Sequence, residues 1–397
     1  MVKKYALIGQ NINYSYSKLI HDYLINHYNL AATYELVNVN ELDEALLTQY
    51  DGCNITIPFK ETVLAYAQAR SGLGMINTIV KKNDKLHGYN TDLEGFVYLL
   101  NNSKLHKMLK ELKTIVILGN GATSKMIQAY FKDKMIKVVS RTQTAYNYAM
   151  LDTLKADLLI NTTPVGMNED KSLVADHQLY QFKAVIDLNY NPLNSKLKRQ
   201  ANEAKIPFVN GLDMLLVQAL KAFELWHGIN AMGLLETIKK EVLLQSQKKL
   251  ALIGFSLSGK TTLIKRYHGV DLDELIALEY GPIATLLKQR RFRERESQVL
   301  KEVVVKDTKL LACGGGIVLD ANNMQLLRDY LIIYVKESKS VIKQRLARNE
   351  RPLLKNKEDF NKMYYQRRKL YERYANITLN YEESEAFINE FCHRNKD

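Results

Sequence analysis

The stretch LALIGFSLSGKTT, residues 250–262, is an apolar run followed by a loop of glycine, serine and lysine. Such a run before such a loop is typical of a strand that leads into a phosphate-binding turn. Residues 254–261 fit the pattern G-x-x-x-x-G-K-[ST] at every defined position. Backbone N–H groups of such a loop surround phosphates, the lysine neutralises the β and γ oxygens, and the final hydroxyl can hold Mg²⁺. The pattern therefore predicts an ATP-type site, and the expected contacts are Ser258, Gly259, Lys260, Thr261 and Thr262.

A second glycine loop occurs in TIVILGNGATS, residues 114–124, again after an apolar run. It matches the dinucleotide pattern G-x-G-x-x-[G/A], except that Ser124 holds the last position. The next strand-like run, IKVVS, leads into Ser140, Arg141 and Thr142, with no acidic residue. In dinucleotide folds an acidic residue there binds the ribose hydroxyls of NAD, whereas arginine accommodates the 2′-phosphate of NADP. The second loop therefore favours NADP.

Strand-like apolar runs alternate with amphipathic helical runs along the chain, which predicts α/β domains with parallel sheets and helical crossovers. The polar segment QSQKK, residues 245–249, is the best candidate for a linker. We therefore divide the chain at Gln247, into residues 1–247 with the dinucleotide loop and residues 248–397 with the P-loop.

The composition is that of a globular protein, with 46% hydrophobic and 25% charged residues among 397. No apolar run approaches the roughly 18 residues needed to span a bilayer, and no signal-peptide pattern is visible at the start. Cys53, Cys313 and Cys392 form neither a disulfide framework nor a metal knuckle. We therefore expect a cytoplasmic protein without a membrane partner.

The net charge of +13 is concentrated after Lys248, where 29 Lys and Arg face 20 Asp and Glu. A basic surface is typical of nucleic-acid binding, but a positive cleft also suits small polyanions. The placement of the arginines favours small anionic ligands, and we expect no nucleic-acid partner. A nucleotide-regulated nucleic-acid-binding protein is the alternative.

Charged groups follow the P-loop in a recognisable order. Asp271 and Asp273 lie two residues apart in VDLDELI, so along a strand both carboxylates would face the same way. Arg293, the glycine turn ACGGGIV, Arg351 and Arg367 follow. In this order after a P-loop, these residues resemble shikimate kinase over residues of about 250 to 380.

The kinase resemblance implies a role for each group. Asp273 would deprotonate the 3-hydroxyl of shikimate, with Lys260 at the transferred phosphoryl group and Mg²⁺ held by Thr261 and Asp271. Arg351 would lie on a mobile lid. The shikimate-binding residues would be Arg293 and Arg367 on the carboxylate, with Gly314, Gly315 and Gly316 lining the pocket. Either Arg345 or Arg348 would stack on adenine. The family usually has glycine where Leu257 stands.

Three polar residues precede the dinucleotide loop: Lys60 in GCNITIPFKETV, Asn77 in GMINTIV and Asp92 in GYNTDLEGF. A lysine and an aspartate that converge on one carbonyl group can share a proton transfer. The alternative is that Lys60 forms a surface salt bridge with some other acid.

With NYSYS, NTTPVGM, DLNYNP and NGLDMLLVQALKAFELWHG, this half resembles shikimate dehydrogenase over residues of about 3 to 243. The resemblance implies Lys60 and Asp92 as the catalytic pair. The implied substrate ligands are Ser15, Ser17 and Tyr190 on the carboxylate and Thr56, Asn77 and Gln218 on the hydroxyls and ketone. The implied cofactor ligands are Gly119, Asn120, Gly121, Ala122, Thr123 and Ser124 on the NADP pyrophosphate, Ser140, Arg141 and Thr142 on the 2′-phosphate, and Met214 beside the nicotinamide.

The two resemblances together imply a bifunctional enzyme that reduces 3-dehydroshikimate to shikimate with NADPH and then phosphorylates shikimate with ATP and Mg²⁺. The expected fold is α/β, with a two-lobed dehydrogenase whose dinucleotide lobe is Rossmann-like, followed by a P-loop domain with a parallel sheet. The substrate lobe would comprise residues 1–103 and 222–243, and the NADP lobe residues 104–221. Two alternatives within this reading are a degenerate, regulatory kinase half and a quinate-type dehydrogenase that uses NAD. The sequence does not determine the oligomeric state, and a homodimer is one possibility.

Overall fold

The computed structural model describes residues 2–70, 72, 74–142, 146–287, 289, 291–347 and 357–395. The chain forms two compact units, one of Met1–Asn191 with Lys196–Val242 and one of Pro192–Ser195 with Leu243–Asp397. The chain thus passes from the first unit to the second a few residues before the division that we placed at Gln247. Among the described residues, no helix is both long and apolar enough to cross a bilayer.

The first lobe of the first unit is a six-stranded sheet with three helices. Its strands are β1 (Lys3–Gly9), β2 (Ala32–Asn38), β3 (Gly52–Ile55), β4 (Gln68–Ala69), β5 (Thr78–Lys82) and β6 (Lys85–Tyr89), and its helices are α1 (Ser17–His27), α2 (Glu44–Thr48) and α3 (Thr91–Asn102). The strand order is β2-β1-β3-β5-β6-β4.

This first sheet is mixed, whereas the sequence pattern predicted parallel pairing. Strand β1 runs parallel to β2 and β3, but β5 runs antiparallel to both β3 and β6. The antiparallel pairing of β5 with β6 has a local reason, because Asn83 and Asp84 join these two strands with φ values of 50° and 56°. Two adjacent residues in the left-handed region form the tight turn that suits the twist of a hairpin.

The second lobe of the first unit is a parallel five-stranded sheet. Its strands are β7 (Thr114–Leu118), β8 (Met135–Val139), β9 (Ala156–Asn161), β10 (Phe182–Asp187) and β11 (Phe208–Asn210), and its helices are α4 (His106–Leu109), α5 (Ala122–Tyr130) and α6 (Lys196–Glu203). The order β11-β10-β9-β7-β8 changes direction between β7 and β9. Ligands of open α/β sheets bind in the crevice at such a switch point, beyond the carboxyl ends of the strands.

Two further helices, α7 (Leu212–His227) and α8 (Leu235–Ser246), follow β11. Helix α7 packs along α3 and returns to the first lobe, where Trp226 Nε1 donates to the carbonyl oxygen of Ile79 at 2.8 Å. A Cβ atom at Gly52 would lie 2.3 Å from that nitrogen, so only glycine lets β3 pass beneath the indole. The last turns of α7 therefore pack against the sheet of the first lobe.

The second unit is a parallel five-stranded sheet between helices. Its strands are β12 (Leu250–Ile253), β13 (Val270–Asp271), β14 (Leu310–Ala312), β15 (Leu331–Val335) and β16 (Ile377–Leu379). Its helices are α9 (Lys260–Arg266), α10 (Leu272–Tyr280), α11 (Ile283–Leu286), α12 (Phe292–Val305), α13 (Ala321–Leu326), α14 (Lys339–Ala347), α15 (Lys357–Tyr374) and α16 (Tyr381–Arg394). The order β13-β14-β12-β15-β16 places the P-loop strand, β12, at the centre. The predicted α/β fold class, with a Rossmann-like lobe and a parallel P-loop sheet, is confirmed.

A buried histidine couples the stability of the first unit to pH. The His21 ring is 1% exposed and stacks on Tyr34 with a centroid separation of 4.2 Å. Burial, together with the nearby His227, lowers the pKa of His21 from 6.5 to about 3, against a smaller opposing contribution from its hydrogen bond with Asn54. Between these two pH values the unfolded chain binds a proton that the folded chain excludes. Stability therefore falls as the pH drops below about 6.5, by up to about 1.4 kcal/mol per pH unit.

We expect acidification from pH 7 to pH 5 to lower the urea midpoint of the first unit, and His21→Phe to reduce that loss. Phenylalanine keeps a ring against Tyr34 but has no proton to exclude. Trp226, the single tryptophan, reports unfolding of the first unit by its fluorescence. Two other groups of the first unit contribute to the pH dependence that remains, because burial lowers the pKa of His227 to about 4 and that of Lys198 to about 7. An unchanged pH dependence in the variant would contradict the assignment to His21.

Candidate active sites

The first site is centred on an ion pair between Lys60 and Asp92. Lys60 lies in the loop after β3, and Asp92 is in the first turn of α3, which begins after Asn90 caps it by accepting from Leu93 N at 3.1 Å. Lys60 Nζ donates to Asp92 Oδ2 at 2.5 Å, and each side chain is 13% exposed. The structure thus pairs Lys60 with Asp92 rather than with some other acid. A largely dehydrated lysine–carboxylate pair can hold and exchange one proton.

This pair lies in the wall of a cavity of about 210 Å³ in the first unit. The eight residues assigned to catalysis or substrate binding in this half all line it, namely Ser15, Ser17, Thr56, Lys60, Asn77, Asp92, Tyr190 and Gln218. They come from both lobes and from α7, so the fold brings together side chains separated by more than 200 positions.

Neutral hydroxyl groups form one end of the cavity. Ser15 Oγ lies 3.0 Å from Ser17 Oγ, and the Tyr16 and Tyr190 ring centroids are 5.4 Å apart. Burial, with smaller contributions from Tyr14 and Tyr16, raises the pKa of the Tyr190 phenol well above its usual value, so this hydroxyl stays protonated and can donate. Such an end can bind a carboxylate through neutral hydrogen bonds.

Asn77 is held rigidly in the cavity wall. Its Oδ1 accepts from Thr91 N at 2.7 Å and its Nδ2 donates to Thr91 Oγ1 at 3.0 Å. The same nitrogen lies 3.5 Å from Gln218 Oε1, which brings the amides of Asn77 and Gln218 side by side. Two fixed amides suit recognition of a substrate with several hydroxyl groups.

Sequence reasoning assigned no role to other polar residues of the wall, among them Asn54, Thr162, Thr163 and Asn189. Asn54 accepts from Tyr34 Oη at 2.8 Å and donates to Thr78 Oγ1 at 3.1 Å. The stretches GCNITIPFK, NTTPVGM and DLNYNP contain all four of these residues. No local pattern indicated which of their side chains would face the cavity.

The dinucleotide loop joins β7 to α5 at the switch point of the second sheet. Gly119 has φ +102°, and a Cβ atom there would lie 2.6 Å from Thr162 Oγ1. Gly121 caps α5 and has open space where a Cβ atom would stand, so a ligand can approach the helix N-terminus. Ser124, the departure from the pattern, is fully buried in α5 and accepts from Gln128 Nε2 at 3.2 Å.

Of the residues assigned to the cofactor in this half, Thr123 and Met214 also line the substrate cavity. Asn120 is exposed at the loop tip, and Ala122 is half-buried in the first turn of α5. Ser140, Arg141 and Thr142 lie beyond the carboxyl end of β8, beside the loop, because Gly119 N donates to the carbonyl oxygen of Val139 at 2.8 Å. Ser140 is buried, whereas Arg141 and Thr142 are exposed. None of the three lines the substrate cavity.

The second site is the P-loop between β12 and α9. Gly254 and Gly259 have φ values of +150° and +99°. Lys260 is 7% exposed, and its Nζ donates to the carbonyl oxygens of Gly254 at 2.8 Å and Phe255 at 3.0 Å. Leu257, where the family usually has glycine, adopts φ +69°, the left-handed conformation that glycine enters most readily.

A cavity of about 420 Å³ extends from the P-loop. The assigned residues that line it are Gly259, Lys260, Thr261, Thr262, Asp271, Asp273, Gly315 and Arg345. Ser258, within the loop, is fully buried. Four other assigned residues are not part of the lining: Arg293, Gly314, Gly316 and Arg367. Arg348 and Arg351 lie outside the described residues.

The sequence pattern suggested that Asp271 and Asp273 lie along one strand, and the structure shows that they do not. Strand β13 ends at Asp271, and Asp273 belongs to α10. Asp271 Oδ1 accepts from Asp273 N at 2.9 Å and Glu274 N at 3.3 Å, so Asp271 caps the helix. Both residues still line the cavity, Asp271 as the N-cap of α10 and Asp273 in the first turn of that helix.

A turn of three glycines lies against Asp273, Arg293 and Arg367. A Cβ atom would lie 2.5 Å from Asp273 Oδ1 at Gly314 and 2.2 Å from Arg293 Nη2 at Gly316. The carbonyl oxygen of Gly315 accepts from Arg367 Nη1 at 3.2 Å. The glycines therefore let one carboxylate and two guanidinium groups approach the same backbone.

Glu296 joins this cluster, although its role was missed from the sequence. It is 1% exposed and accepts from Arg293 Nη1 at 2.5 Å. Burial raises the pKa of Glu296, and Arg293 opposes that shift. Glu296 therefore fixes the orientation of Arg293. The one sequence feature that could have indicated this contact is that Glu296 follows Arg293 by three residues on the same helix.

The metal-binding groups assigned from sequence are Thr261 and Asp271. In the described part of the chain, no group of three or more His, Cys, Asp or Glu side chains could hold a metal ion. Mg²⁺ usually takes one or two protein ligands and completes its shell with water and substrate phosphates. The hydroxyl and the carboxylate fit such a site.

The chain resembles two groups of known proteins. The model of the Shikimate dehydrogenase substrate binding domain matches residues 7–79, and that of Shikimate kinase matches residues 257–395. The shikimate dehydrogenase (NADP(+)) of Clostridium beijerinckii is 32% identical over 248 residues, covering 56% of this chain and 91% of that protein.

Solved structures of shikimate dehydrogenases are also similar to this chain. Shikimate dehydrogenase 1 from Peptoclostridium difficile is 29% identical with a TM-score of 0.54, covering 61% of this chain and 98% of that one. The shikimate 5-dehydrogenase from Thermus thermophilus, solved in complex with NADP(H) and shikimate, is 25% identical with a TM-score of 0.51, covering 60% of this chain and 99% of that one.

Proposed function

Because this chain belongs to the shikimate dehydrogenase family and carries a shikimate kinase domain after it, we propose that it catalyses two consecutive reactions on one ring. The first reduces 3-dehydroshikimate to shikimate, and the second phosphorylates the hydroxyl group that the first has formed. We assign residues 1–247 to the dehydrogenase, with a substrate lobe of 1–103 plus 222–243 and an NADP lobe of 104–221, and residues 248–397 to the kinase. The observation that carries the proposal is the meeting of the assigned catalytic residues in each unit: Lys60 and Asp92 line the first cavity, and Lys260 and Asp273 line the second. Two assigned residues that do not line the second cavity, Arg293 and Arg367, contact the glycine turn beside Asp273.

In the reduction, Lys60 and Asp92 supply the proton that the substrate carbonyl oxygen takes up. NADPH, when bound, supplies the hydride that reaches the carbonyl carbon of the substrate. Lys60 donates a proton to the carbonyl oxygen as the C–O double bond becomes a single bond, and Asp92, 2.5 Å away, holds and reorients the ammonium group. The two amides, Asn77 and Gln218, position the ring. Ser15, Ser17 and Tyr190 bind the carboxylate through neutral hydroxyls.

We propose NADPH rather than NADH as the reductant. Arg141 is exposed beside the dinucleotide loop, with Ser140 and Thr142 as further hydrogen-bond donors. A guanidinium group at this place can pair with the 2′-phosphate, and no carboxylate stands among these three residues to bind the ribose diol of NAD.

In the phosphorylation, the oxygen of the shikimate 3-hydroxyl group attacks the γ-phosphorus of ATP. Asp273 accepts the proton of that hydroxyl group during the attack. The bond between that phosphorus and the β,γ-bridging oxygen breaks, and ADP leaves. Lys260 neutralises the negative charge of the transferred group, while Thr261 and Asp271 would hold Mg²⁺. Arg293 and Arg367 would pair with the substrate carboxylate, beside Asp273 at the glycine turn.

The two loops differ because the two reactions make different charges. The dinucleotide loop holds a pyrophosphate that does not react, so backbone N–H groups at the start of α5 suffice. The P-loop must stabilise a phosphoryl group in transfer, which requires a lysine and a metal ion as well.

One incubation with 3-dehydroshikimate, NADPH, ATP and Mg²⁺, followed by mass spectrometry, tests both activities. We expect shikimate and then shikimate 3-phosphate. Absence of shikimate would overturn the dehydrogenase assignment. Shikimate without shikimate 3-phosphate, in a chain that still binds ATP, would identify the kinase half as a regulatory module.

Gly316→Ala should weaken shikimate binding without weakening ATP binding. The new methyl group would lie 2.2 to 2.6 Å from the Arg293 guanidinium, which must move away from the substrate carboxylate. Hydrogen bonds to charged groups contribute about 1.5–3 kcal/mol, so we expect KM for shikimate to rise roughly 10- to 150-fold in a kinase assay. Gly233→Ala, where a Cβ atom meets open space, is the control. Equal increases in KM for ATP and shikimate would contradict this role of Arg293.

A further inference from the structure

The P-loop contains a leucine in a backbone conformation that suits glycine. Leu257 has φ +69°, at a position where shikimate kinases usually have glycine. For a residue with a Cβ atom, the left-handed region is less populated by a factor of about 5 to 30. We infer that Arg345, oriented by Glu337, is a positioning residue that holds Leu257 in this conformation and so keeps the loop in its phosphate-binding shape. This inference rests on the proposed kinase function.

Arg345 reaches the loop from helix α14. Its Nη1 donates to the carbonyl oxygen of Leu257 at 2.7 Å. A change of φ at Leu257 rotates this carbonyl group about the N–Cα bond, so relaxation to the common negative φ values would turn the oxygen away from the guanidinium group. The hydrogen bond therefore stabilises the left-handed conformation from outside the loop.

Glu337 orients the guanidinium group of Arg345. Its Oε2 lies 3.3 Å from Arg345 Nη2, and its side chain is 17% exposed. Glu337 follows β15, the strand that pairs with the P-loop strand β12, and its carbonyl oxygen accepts from Tyr364 Oη at 3.1 Å. Tyr364 belongs to the hydrophobic core of the second unit. Because a guanidinium group can donate to two acceptors at once, Arg345 connects the loop to the sheet and its core.

Lys260 holds two other carbonyl oxygens of the loop, those of Gly254 and Phe255. In the proposed reaction Lys260 neutralises the phosphates of ATP, so its ammonium group must turn from these oxygens toward the ligand. The contact between Arg345 and Leu257 does not involve Lys260, so it can persist when ATP is bound. The loop then keeps an external hydrogen bond at the residue whose conformation needs support.

Direct contact with the nucleotide is the alternative role for Arg345, since the sequence left open whether Arg345 or Arg348 stacks on adenine. The two roles make different predictions. If Arg345 acts through Leu257, glycine at position 257 removes the need for it, because glycine adopts positive φ about as readily as negative φ. If Arg345 contacts the ligand, the residue at position 257 does not change its effect. Non-additivity of the two substitutions therefore identifies the role.

The test measures binding of inorganic tripolyphosphate and ADP to the full chain by calorimetry, with saturating NADP⁺ to occupy the dinucleotide site. Arg345→Ala should raise Kd for both ligands about 5- to 30-fold, because affinity falls with the fraction of chains whose loop has the binding shape. Arg345→Ala combined with Leu257→Gly should bind both ligands as tightly as Leu257→Gly alone. Tripolyphosphate has no base, so adenine contacts cannot produce this result.

Two further variants sharpen the test. Glu337→Gln should weaken binding less than Arg345→Ala does, because the guanidinium group remains but loses its charged partner, and Leu257→Gly should again restore the affinity. Lys343→Ala is the matched control, because Lys343 is an exposed cation on the same helix and does not line the cavity. It should bind both ligands as the wild-type chain does.

The outcomes separate this inference from the proposed function. If the wild-type chain binds tripolyphosphate and Arg345→Ala binds it equally well, the inference is wrong while the kinase proposal stands. If Arg345→Ala weakens binding by the same factor with leucine and with glycine at position 257, Arg345 does not act through Leu257, which also overturns the inference. If the wild-type chain binds neither ADP nor tripolyphosphate, the kinase proposal itself fails.

Discussion

Lys60→Ala is expected to lower kcat for the reduction of 3-dehydroshikimate by about 10²- to 10⁴-fold, the usual contribution of a positioned acid–base group. The reason is geometric, because Lys60 Nζ is the cation paired with Asp92, and both side chains are 87% shielded from solvent. Water cannot readily replace a proton donor in such a place. The measurement is the rate of NADPH oxidation at saturating 3-dehydroshikimate, with shikimate phosphorylation assayed in the same preparation.

Phosphorylation by the Lys60→Ala chain should stay at the wild-type rate, because the second cavity is lined by residues of the second unit alone. Lys81→Ala is a matched control, since Lys81 also pairs with an aspartate, Asp84 at 3.9 Å, but lies outside the cavity. Asp92→Asn should lower the same rate, since the ammonium group loses the partner that orients it. A Lys60→Ala enzyme that keeps its reduction rate would remove Lys60 from catalysis.

Asp273→Asn is expected to lower kcat for shikimate phosphorylation by about 10²- to 10⁴-fold. Asparagine has nearly the same shape as aspartate but cannot accept the proton of the attacking hydroxyl group. Asp273 Oδ1 lies at the glycine turn that also contacts Arg293 and Arg367. ATP binding should change little, because the phosphates are held by the P-loop. The measurement is the formation of shikimate 3-phosphate, with the reduction rate as an internal reference.

Glu274→Gln provides the control for this substitution. Glu274 is adjacent in α10, but its side chain is half exposed and pairs with Lys265 at 2.5 Å. It lies outside the cavity, so its variant should phosphorylate shikimate normally. If Asp273→Asn slowed reduction as well as phosphorylation, the model of two independent sites would be wrong.

Local patterns allowed the fold class to be predicted. Each glycine loop follows a buried strand and precedes a helix, because close approach of backbone to phosphate demands those residues in that order. Strand-like apolar runs that alternate with amphipathic helical runs predicted parallel sheets along the whole chain, and the sheets of the second lobe and of the P-loop unit are parallel. The first sheet departed from this expectation at Asn83 and Asp84, whose turn reverses the strand direction.

The sequence by itself determined which chemical groups this protein has and the loops that present them, since glycine, lysine and hydroxyl residues at fixed spacing carry that information locally. Only the tertiary structure decided which of them meet. It paired Lys60 with Asp92, turned Asp271 into a helix cap, and brought Glu296 to Arg293 and Arg345 to Leu257. Contacts of this kind depend on how the strands are ordered in each sheet, and burial then selects the partner, because a charged or polar side chain without a partner is too costly to bury.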